Sequence, residues 1–370
     1  MSTVRQKIEK VMNQEDGNGS AFPSPLNSAL GACSFVYQLA VTLRMHLYGG
    51  GILKRERLPC KVISVGNITV GGTGKTPVTL YIADLLKRMG LKVAVISRGY
   101  GGRAEKRGGI VSDGETVKMK PDEAGDEPYL MALKLEGVPV VVGRDRVRTG
   151  RLALRLFGSD VLLLDDGFQH VRLKRDIDLL LLDARNPFGN GHLLPRGILR
   201  EPLSQLGRAD AFVLTQSETG TTSPETLSYF QRIAAGRPIF RGARIPDQLA
   251  GNGGGETYPL DFLKDRKLLA FSGIARNEDF REMLARLGGN IVEFLSFPDH
   301  YCYSDEDLRS IAGVGESLGA EFMITTEKDY VRIQESQKKP FNLLILKMVI
   351  SFGDDTGGLE EYIKRSLRTA

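Results

Sequence analysis

Short runs rich in Val, Ile and Leu recur along the chain, and stretches with helical spacing of apolar positions separate them. "KVISVG" (61–66) precedes a helix after Gly74, "KVAVIS" (92–97) a helix from Glu127, and "VPVVVG" (138–143) one through "RVRTGRLALRLF". "DVLLLDD" (160–166), "IDLLLLD" (177–183) and "AFVLT" (211–215) continue the series. Because these runs are apolar at nearly every position, they predict strands buried on both faces, as in a parallel sheet covered by helices. The expectation is a doubly wound, mostly parallel α/β domain. A polar stretch, "QSETGTTSPETLS" (216–228), interrupts the pattern, and a glycine-rich loop, "GNGGGETYP" (251–259), follows it. "KLLAFSG", "NIVEFLSF", "EFMITTEKD" and "NLLILKMVI" then predict a second, smaller α/β domain.

Upstream of the first strand the pattern changes. Leu26, Leu30, Cys33, Tyr37, Ala40, Leu43 and Leu47 fall at steps of three and four, predicting an amphipathic helix over 25–48. The uncharged, apolar-leaning part, "ALGACSFVYQLAVTL", is shorter than the roughly 20 residues a spanning helix needs. Arg44, Lys54, Arg55 and Arg57 give it a basic edge. Two roles stay open on pattern alone: lying in a membrane interface or packing on its own domain. The polar residues 1–24 carry no secretory signature and are expected to be a disordered extension. The expected division is therefore 1–24, 25–48, a core domain over 49–216 and a C-terminal domain over 217–370.

Composition narrows the class. A chain of 370 residues, 41% hydrophobic and 26% charged, suits a folded protein of more than one domain. Fifty Lys and Arg against 45 Asp and Glu favour anionic partners without selecting one. Cys33, Cys60 and Cys302 lack metal-site or disulfide spacing, which points to a reducing, cytoplasmic setting. There is no Trp and no basic tract interleaved with aromatics, so a nucleic-acid partner is not expected.

The candidate chemistry begins in "VISVGNITVGGTGKTPVTLYIADLL", which runs strand, glycine loop, helix. This is the context of a phosphate-binding P-loop, whose backbone N–H groups and helix N-terminus face anionic oxygens. Thr69, Val70, Gly71, Gly72, Thr73, Gly74, Lys75 and Thr76 would hold ATP. Lys75 would reach the β- and γ-phosphates, and Thr76 would offer its hydroxyl to Mg²⁺. Thr69 stands where the usual motif has its first glycine. Asp165 and Asp166 end an apolar strand in the Walker B manner and are the expected metal carboxylates, with the choice between them open.

"SRGYGGR" places Arg98 and Arg103 around a turn where guanidinium groups could clamp a phosphate. In "GDEPYLMAL", Asp126 reads as an N-cap with Pro128 early in the helix. None of His46, His170, His192 and His300 has a partner at metal-ligand spacing; His300 ends a predicted strand, just before a helix capped by Ser304.

In order, "LYGGGILKRERLPCKVISVGNITVGGTGKTP", "ISRGYGGR", "GDEP", "DDGFQH", "LLPRGILREPLS", "SGIARNEDF", "FPDHYCYS" and "TTEKDYV" resemble the tetraacyldisaccharide 4'-kinase family of the lipid A pathway. The resemblance covers most of the chain from about Pro25. It implies transfer of the ATP γ-phosphoryl to the 4'-hydroxyl of an acylated glucosamine disaccharide 1-phosphate, giving lipid IVA. It also implies peripheral attachment, through the N-terminal helix, to the cytoplasmic face of the bacterial inner membrane. Asp126 and His300 match the family's base dyad, while Arg98, Arg200 and Glu201 are expected substrate or transition-state contacts. "TTEKDYV" belongs to the resemblance without a role. The competing expectation is a P-loop NTPase that couples hydrolysis to a protein partner; for a GTPase, the N/T-K-x-D element is missing, with only an echo in "EKDY".

Overall fold

The computed structural model describes residue 12 and residues 25–215, 224–253, 255–333 and 342–369. Met12 apart, the extension expected over 1–24 lies outside the described residues, as do residues 216–223 of the polar stretch.

Seven strands build the first half: β1 (Lys61–Asn67), β2 (Val93–Ser97), β3 (Gly109–Ser112), β4 (Val140–Val142), β5 (Val161–Asp165), β6 (Ile177–Asp183) and β7 (Ala211–Thr215). Six follow: β8 (Ile239–Gly251), β9 (Thr257–Tyr258), β10 (Lys267–Ser272), β11 (Asn290–Ser296), β12 (Phe322–Thr326) and β13 (Leu343–Ser351). Among the described residues they form one sheet in the order β11-β10-β12-β13-β8-β7-β6-β1-β5-β2-β4-β3, with β9 beside β8. The first half is parallel apart from its edge strand β3. β8 joins the halves: Ile239 to Gly242 run parallel to β7, and Ala243 to Gly251 run antiparallel to β13. Pro246, which cannot donate to a ladder, sits where the β8–β13 register shifts.

Every residue of β2, β4, β5, β6 and β7 is buried, as the unbroken apolar runs predict. The helix Lys75–Arg88 lays Val78, Ile82, Leu85 and Leu86 on the sheet against Ile63, Val65 and Leu163. The last helix, Thr356–Thr369, returns to this same core through Leu359 and Ile363. Local signals set several helix ends. Asp145 accepts hydrogen bonds from Val147 N and Arg148 N to start Arg146–Phe157, and Ser304 with Asp307 forms a capping box for Asp305–Ser317.

The N-terminal helix spans Pro25–Gly49, and no helix among the described residues is long and apolar enough to cross a membrane. Its buried line is not the one the spacing picked out. Leu30, Ser34, Tyr37 and Val41 turn toward the body, where Ser34 Oγ donates to Leu193 O and Tyr37 Oη to Arg200 O. Cys33, Ala40 and Leu43, assigned to the same face as Leu30 and Tyr37, are exposed. Beside Leu43 (60%) on the outer side stand Phe35 (60% exposed), Val36 (65%) and Leu39 (55%). Both sides of this helix are apolar, so periodicity alone could not say which was inward.

Candidate functional site

The glycine loop follows β1 at the carboxyl edge of the parallel sheet, where open α/β sheets bind ligands. The helix Lys75–Arg88 has no side-chain cap; Gly74 takes the N-cap position at φ 76°, which leaves the first-turn N–H groups free for an anion. Asn67, the last residue of β1, organises the loop from beneath. Its Nδ2 donates to Thr73 Oγ1 at 2.8 Å and Thr69 Oγ1 at 3.4 Å, and its Oδ1 accepts from Lys75 Nζ at 3.4 Å. Thr69 is buried and forms a β-bridge with Leu199, so this unusual first position anchors the loop by its backbone. Val70 N donates to Ile198 O and Arg200 N to Ile68 O, at 2.8 and 2.6 Å, which ties "LLPRGILREPLS" to the loop.

That tie delivers Arg200. Its Nη1 reaches both carboxylate oxygens of Asp166 at 3.0 Å, while Lys75 Nζ lies 3.7 Å from Asp166 Oδ1. Burial raises the Asp166 carboxyl, but Lys75 and Arg200 outweigh it and hold it below the ordinary range. Asp165 behaves oppositely: burial, then the negative charges of Glu127 and Asp166, push it up to about 7. It accepts hydrogen bonds from Thr79 Oγ1 and Ser97 Oγ, each at 3.1 Å. The two expected metal carboxylates thus divide, Asp165 sealed under the loop and Asp166 partly open beside Lys75.

The second cluster is built around "GDEP". Gly125 has φ 87°, and a Cβ there would sit 2.7 Å from Tyr100 O; a Cβ on Gly102 would sit 2.4 Å from Glu123 O. These absent side chains let "SRGYGGR" and "GDEP" pack backbone to backbone. Gly125, not Asp126, is the N-cap, and Asp126 opens the helix Asp126–Lys134. His300 Nδ1 donates to Asp126 Oδ2 at 3.0 Å, so sequence positions 174 apart meet as the resemblance implied. Burial would raise the Asp126 carboxyl, but the His300 hydrogen bond and Arg332 lower it overall. Four non-glycine residues among those described have positive φ, and two of them, Asp166 (52°) and His300 (62°), belong to these clusters.

Glu127 links the two clusters. It pairs with Lys328 Nζ at 3.2 Å and is held ionised, against its burial, by Lys328 and Lys75. The P-loop lysine and the dyad's neighbour therefore share one electrostatic field. At the mouth, Arg98 lies 5.8 Å from the Tyr100 ring centroid and donates to Glu105, and Tyr100 meets the His300 ring edge-on at 6.4 Å. Thr76 sits partly exposed in the first helical turn. Arg103 pairs with Asp122 on the surface.

Glu201 lies deeper than the other expected contacts. It is buried, its Oε2 accepts from Arg208 Nη2 at 2.6 Å, and Arg208 in turn lies 4.1 Å from the Phe168 ring centroid. Its Oε1 is buried and accepts from no described residue. Asn67, Glu127, Lys328, Asp329 and Arg332 are site residues that sequence reasoning passed over. Their signal was present only as membership of quoted segments, or, for Arg332, as the residue directly after "TTEKDYV".

Residues 26–368 match the family model described as Tetraacyldisaccharide-1-P 4'-kinase. The chain belongs to this family. A tetraacyldisaccharide 4'-kinase from Desulfatibacillum aliphaticivorans is 41% identical over 376 residues, spanning 100% of this chain and 99% of that protein. Another from Syntrophus aciditrophicus is 44% identical over 343 residues, covering 90% and 91%. The crystal structure of LpxK from Aquifex aeolicus in complex with ATP is similar at a TM-score of 0.75 and 40% identity, over 92% of this chain and 99% of that one. A kinase-family α/β fold with a P-loop is therefore shown, and the hydrolysis-coupled alternative is not favoured.

Proposed function

We propose that this protein transfers the γ-phosphoryl group of ATP to the 4'-hydroxyl of an acylated glucosamine disaccharide 1-phosphate, forming lipid IVA. The observation that carries the proposal is Asp126, hydrogen-bonded by His300 and Arg332, with its neighbour Glu127 in the electrostatic field of Lys75. A carboxylate fixed this way suits removal of a proton from an alcohol. The purified protein, incubated with γ-labelled ATP, Mg²⁺ and the acylated disaccharide 1-phosphate in detergent, should place label in the lipid. Steady release of labelled phosphate with an unlabelled lipid would reject the proposal.

In the mechanism, the P-loop N–H groups and Lys75 hold the β- and γ-phosphates in line with the acceptor. Asp126 accepts the hydroxyl proton as the acceptor oxygen bonds to Pγ, the bond from Pγ to the bridging oxygen breaks, and ADP departs. His300 keeps the carboxylate oriented through its Nδ1–H. Arg98 and Tyr100 border the entrance as contacts for the anionic sugar. The residues present fit Mg²⁺: burial, then the negative charges of Glu127 and Asp166, push Asp165 up to about 7, and a cation beside this cluster would relieve the repulsion among its carboxylates. Thr76 and Asp166 would hold the ion with phosphate oxygens, and Asp165 would act from behind through Thr79. Bound Mg²⁺ would neutralise charge on the phosphates.

The outer side of the N-terminal helix supports peripheral docking on the cytoplasmic face of the inner membrane. Phe35, Val36, Leu39 and Leu43 form one apolar strip, and Ile52 (73% exposed) and Leu53 follow the helix in sequence, just before Arg55 and Arg57. Changing Phe35, Leu39 and Leu43 together to serine should lower binding to vesicles containing anionic lipid by at least about tenfold. At about 25 cal/mol per Å² of apolar surface, three such side chains carry more than the needed 1.4 kcal/mol. Unchanged sedimentation with vesicles would count against docking by this strip.

A further inference from the structure

"TTEKDYV" and the arginine after it form a structure of their own behind the dyad. Thr326 caps the short helix Glu327–Tyr330 by accepting from Asp329 N, and the fully buried Asp329 side chain is the hub. Asp329 Oδ2 accepts from Thr326 Oγ1 at 2.6 Å; Asp329 Oδ1 accepts from Gly273 N at 2.8 Å, Tyr303 Oη at 3.0 Å and Arg332 Nη1 at 3.3 Å. Arg332 is buried too. Its Nη1 also donates to Gly273 O at 2.7 Å, and its Nε donates to Asp126 Oδ2 at 2.7 Å, the shortest polar contact Asp126 makes among the described residues.

The guanidinium Nη2 stands 3.3 Å from His300 Nδ1. Arg332 has only donors, and His300 Nδ1 needs its proton for Asp126, so this approach is a close packing contact and not a second hydrogen bond. One oxygen of Asp126 therefore accepts from Arg332 and from His300. Among the described residues nothing donates to its other oxygen, which is left for an incoming hydroxyl. Gly273 O receives both Arg332 Nη1 and, at 3.2 Å, His300 N, so one backbone carbonyl sets the guanidinium and the imidazole relative to each other.

We propose that Arg332, anchored by Asp329, is a positioning residue for the transfer: it fixes the Asp126 carboxylate in the rotamer that presents its free oxygen to the acceptor. It touches neither ATP nor the disaccharide and acts through Asp126. Asp126 opens a helix of the first half and Arg332 follows the short helix after β12 in the second, and neighbouring pairs cross the same seam: Lys134 with Glu327 at 2.8 Å and Lys328 with Glu127 at 3.2 Å. "TTEKDYV" thus gains a role, as the segment that brings the C-terminal half to the base. The inference rests on Asp126 being the base.

The full-length protein is assayed for γ-phosphoryl transfer from ATP to the acylated disaccharide 1-phosphate, comparing wild type, Arg332→Gln, Arg332→Lys, Asp126→Asn and the Asp126→Asn/Arg332→Gln double variant. Arg332→Gln should lower kcat by about 100-fold, the lower end of what a positioned base contributes, with the KM for ATP within about twofold. Arg332→Lys, which keeps the charge but loses the fork, should recover part of that loss. In the Asp126→Asn background Arg332→Gln should cost nothing further, because the group it positions no longer takes a proton. Should Arg332→Gln fail to fold, Arg332→Lys decides alone, with an expected fall in kcat of about tenfold at unchanged ATP KM. Wild-type turnover in either Arg332 variant, or additive losses in the double variant, overturns the proposal. A wild-type protein that labels no lipid instead overturns the function on which it stands, and the two failures are told apart by the wild-type lane.

Discussion

Replacing Lys75 with alanine should reduce phosphoryl transfer by roughly 10³-fold or more, the scale on which removal of a preorganised charge-stabilising donor acts. The ammonium is held from both sides, 3.4 Å from Asn67 Oδ1 and 3.7 Å from Asp166 Oδ1, so in the wild type it does not have to be ordered when ATP arrives. Without it, the γ-phosphoryl oxygens lose the one lysine that the loop aims at them. The fold should persist: Asp166 retains Arg200 at 3.0 Å, and Asn67 retains Thr73 at 2.8 Å. The expected signature is thus a collapse of kcat with ATP affinity also weakened, at an unchanged melting midpoint. Transfer assays and thermal melts of the same preparation check it. Turnover within about threefold of wild type would show that Lys75 is not the phosphate lysine.

The loop was legible because its information is local. A strand, a glycine run, GKT and an apolar helix are adjacent in sequence, and adjacency is enough to place N–H groups at a helix end. The parallel sheet was legible for a similar reason, since burial on both faces leaves an unbroken apolar run. β8 was not. It carries Arg241, Arg244, Pro246 and Asp247 among its apolar positions, because its two segments pair with different partners and part of it stays half exposed. The face of the N-terminal helix was misassigned because both its sides are apolar. The roles of Arg332 and Asp329 were hidden for another reason: each meets a partner more than 50 residues distant, the Asp126 carboxylate for Arg332 and the Gly273 N–H for Asp329, and no periodicity records such a partner. Glu201 shows the converse, a charged residue in a recognisable segment that the fold encloses with Arg208.

Asp126→Asn should be the most diagnostic single change, lowering kcat by about 10²- to 10⁴-fold while leaving the KM for ATP nearly unchanged. The asparagine keeps the shape of the carboxylate, and its carbonyl oxygen still accepts from Arg332 Nε and His300 Nδ1, at sites now 2.7 and 3.0 Å away. What disappears is the capacity to take a proton. The pH behaviour follows with its sign. Burial opposes the Asp126 charge, but the His300 hydrogen bond and Arg332 prevail and lower its pKa below the ordinary value, so near neutrality the base is already deprotonated and lowering the pH toward 6 does not disable it. Any fall in wild-type rate over that range must therefore come from other groups. Asp126→Asn should keep the shape of that limb while shifting the whole profile down. If the variant instead transfers phosphoryl at the wild-type rate, proton removal belongs to another group or to solvent, and the His300–Asp126–Arg332 cluster is a structural clasp between the two halves of the sheet.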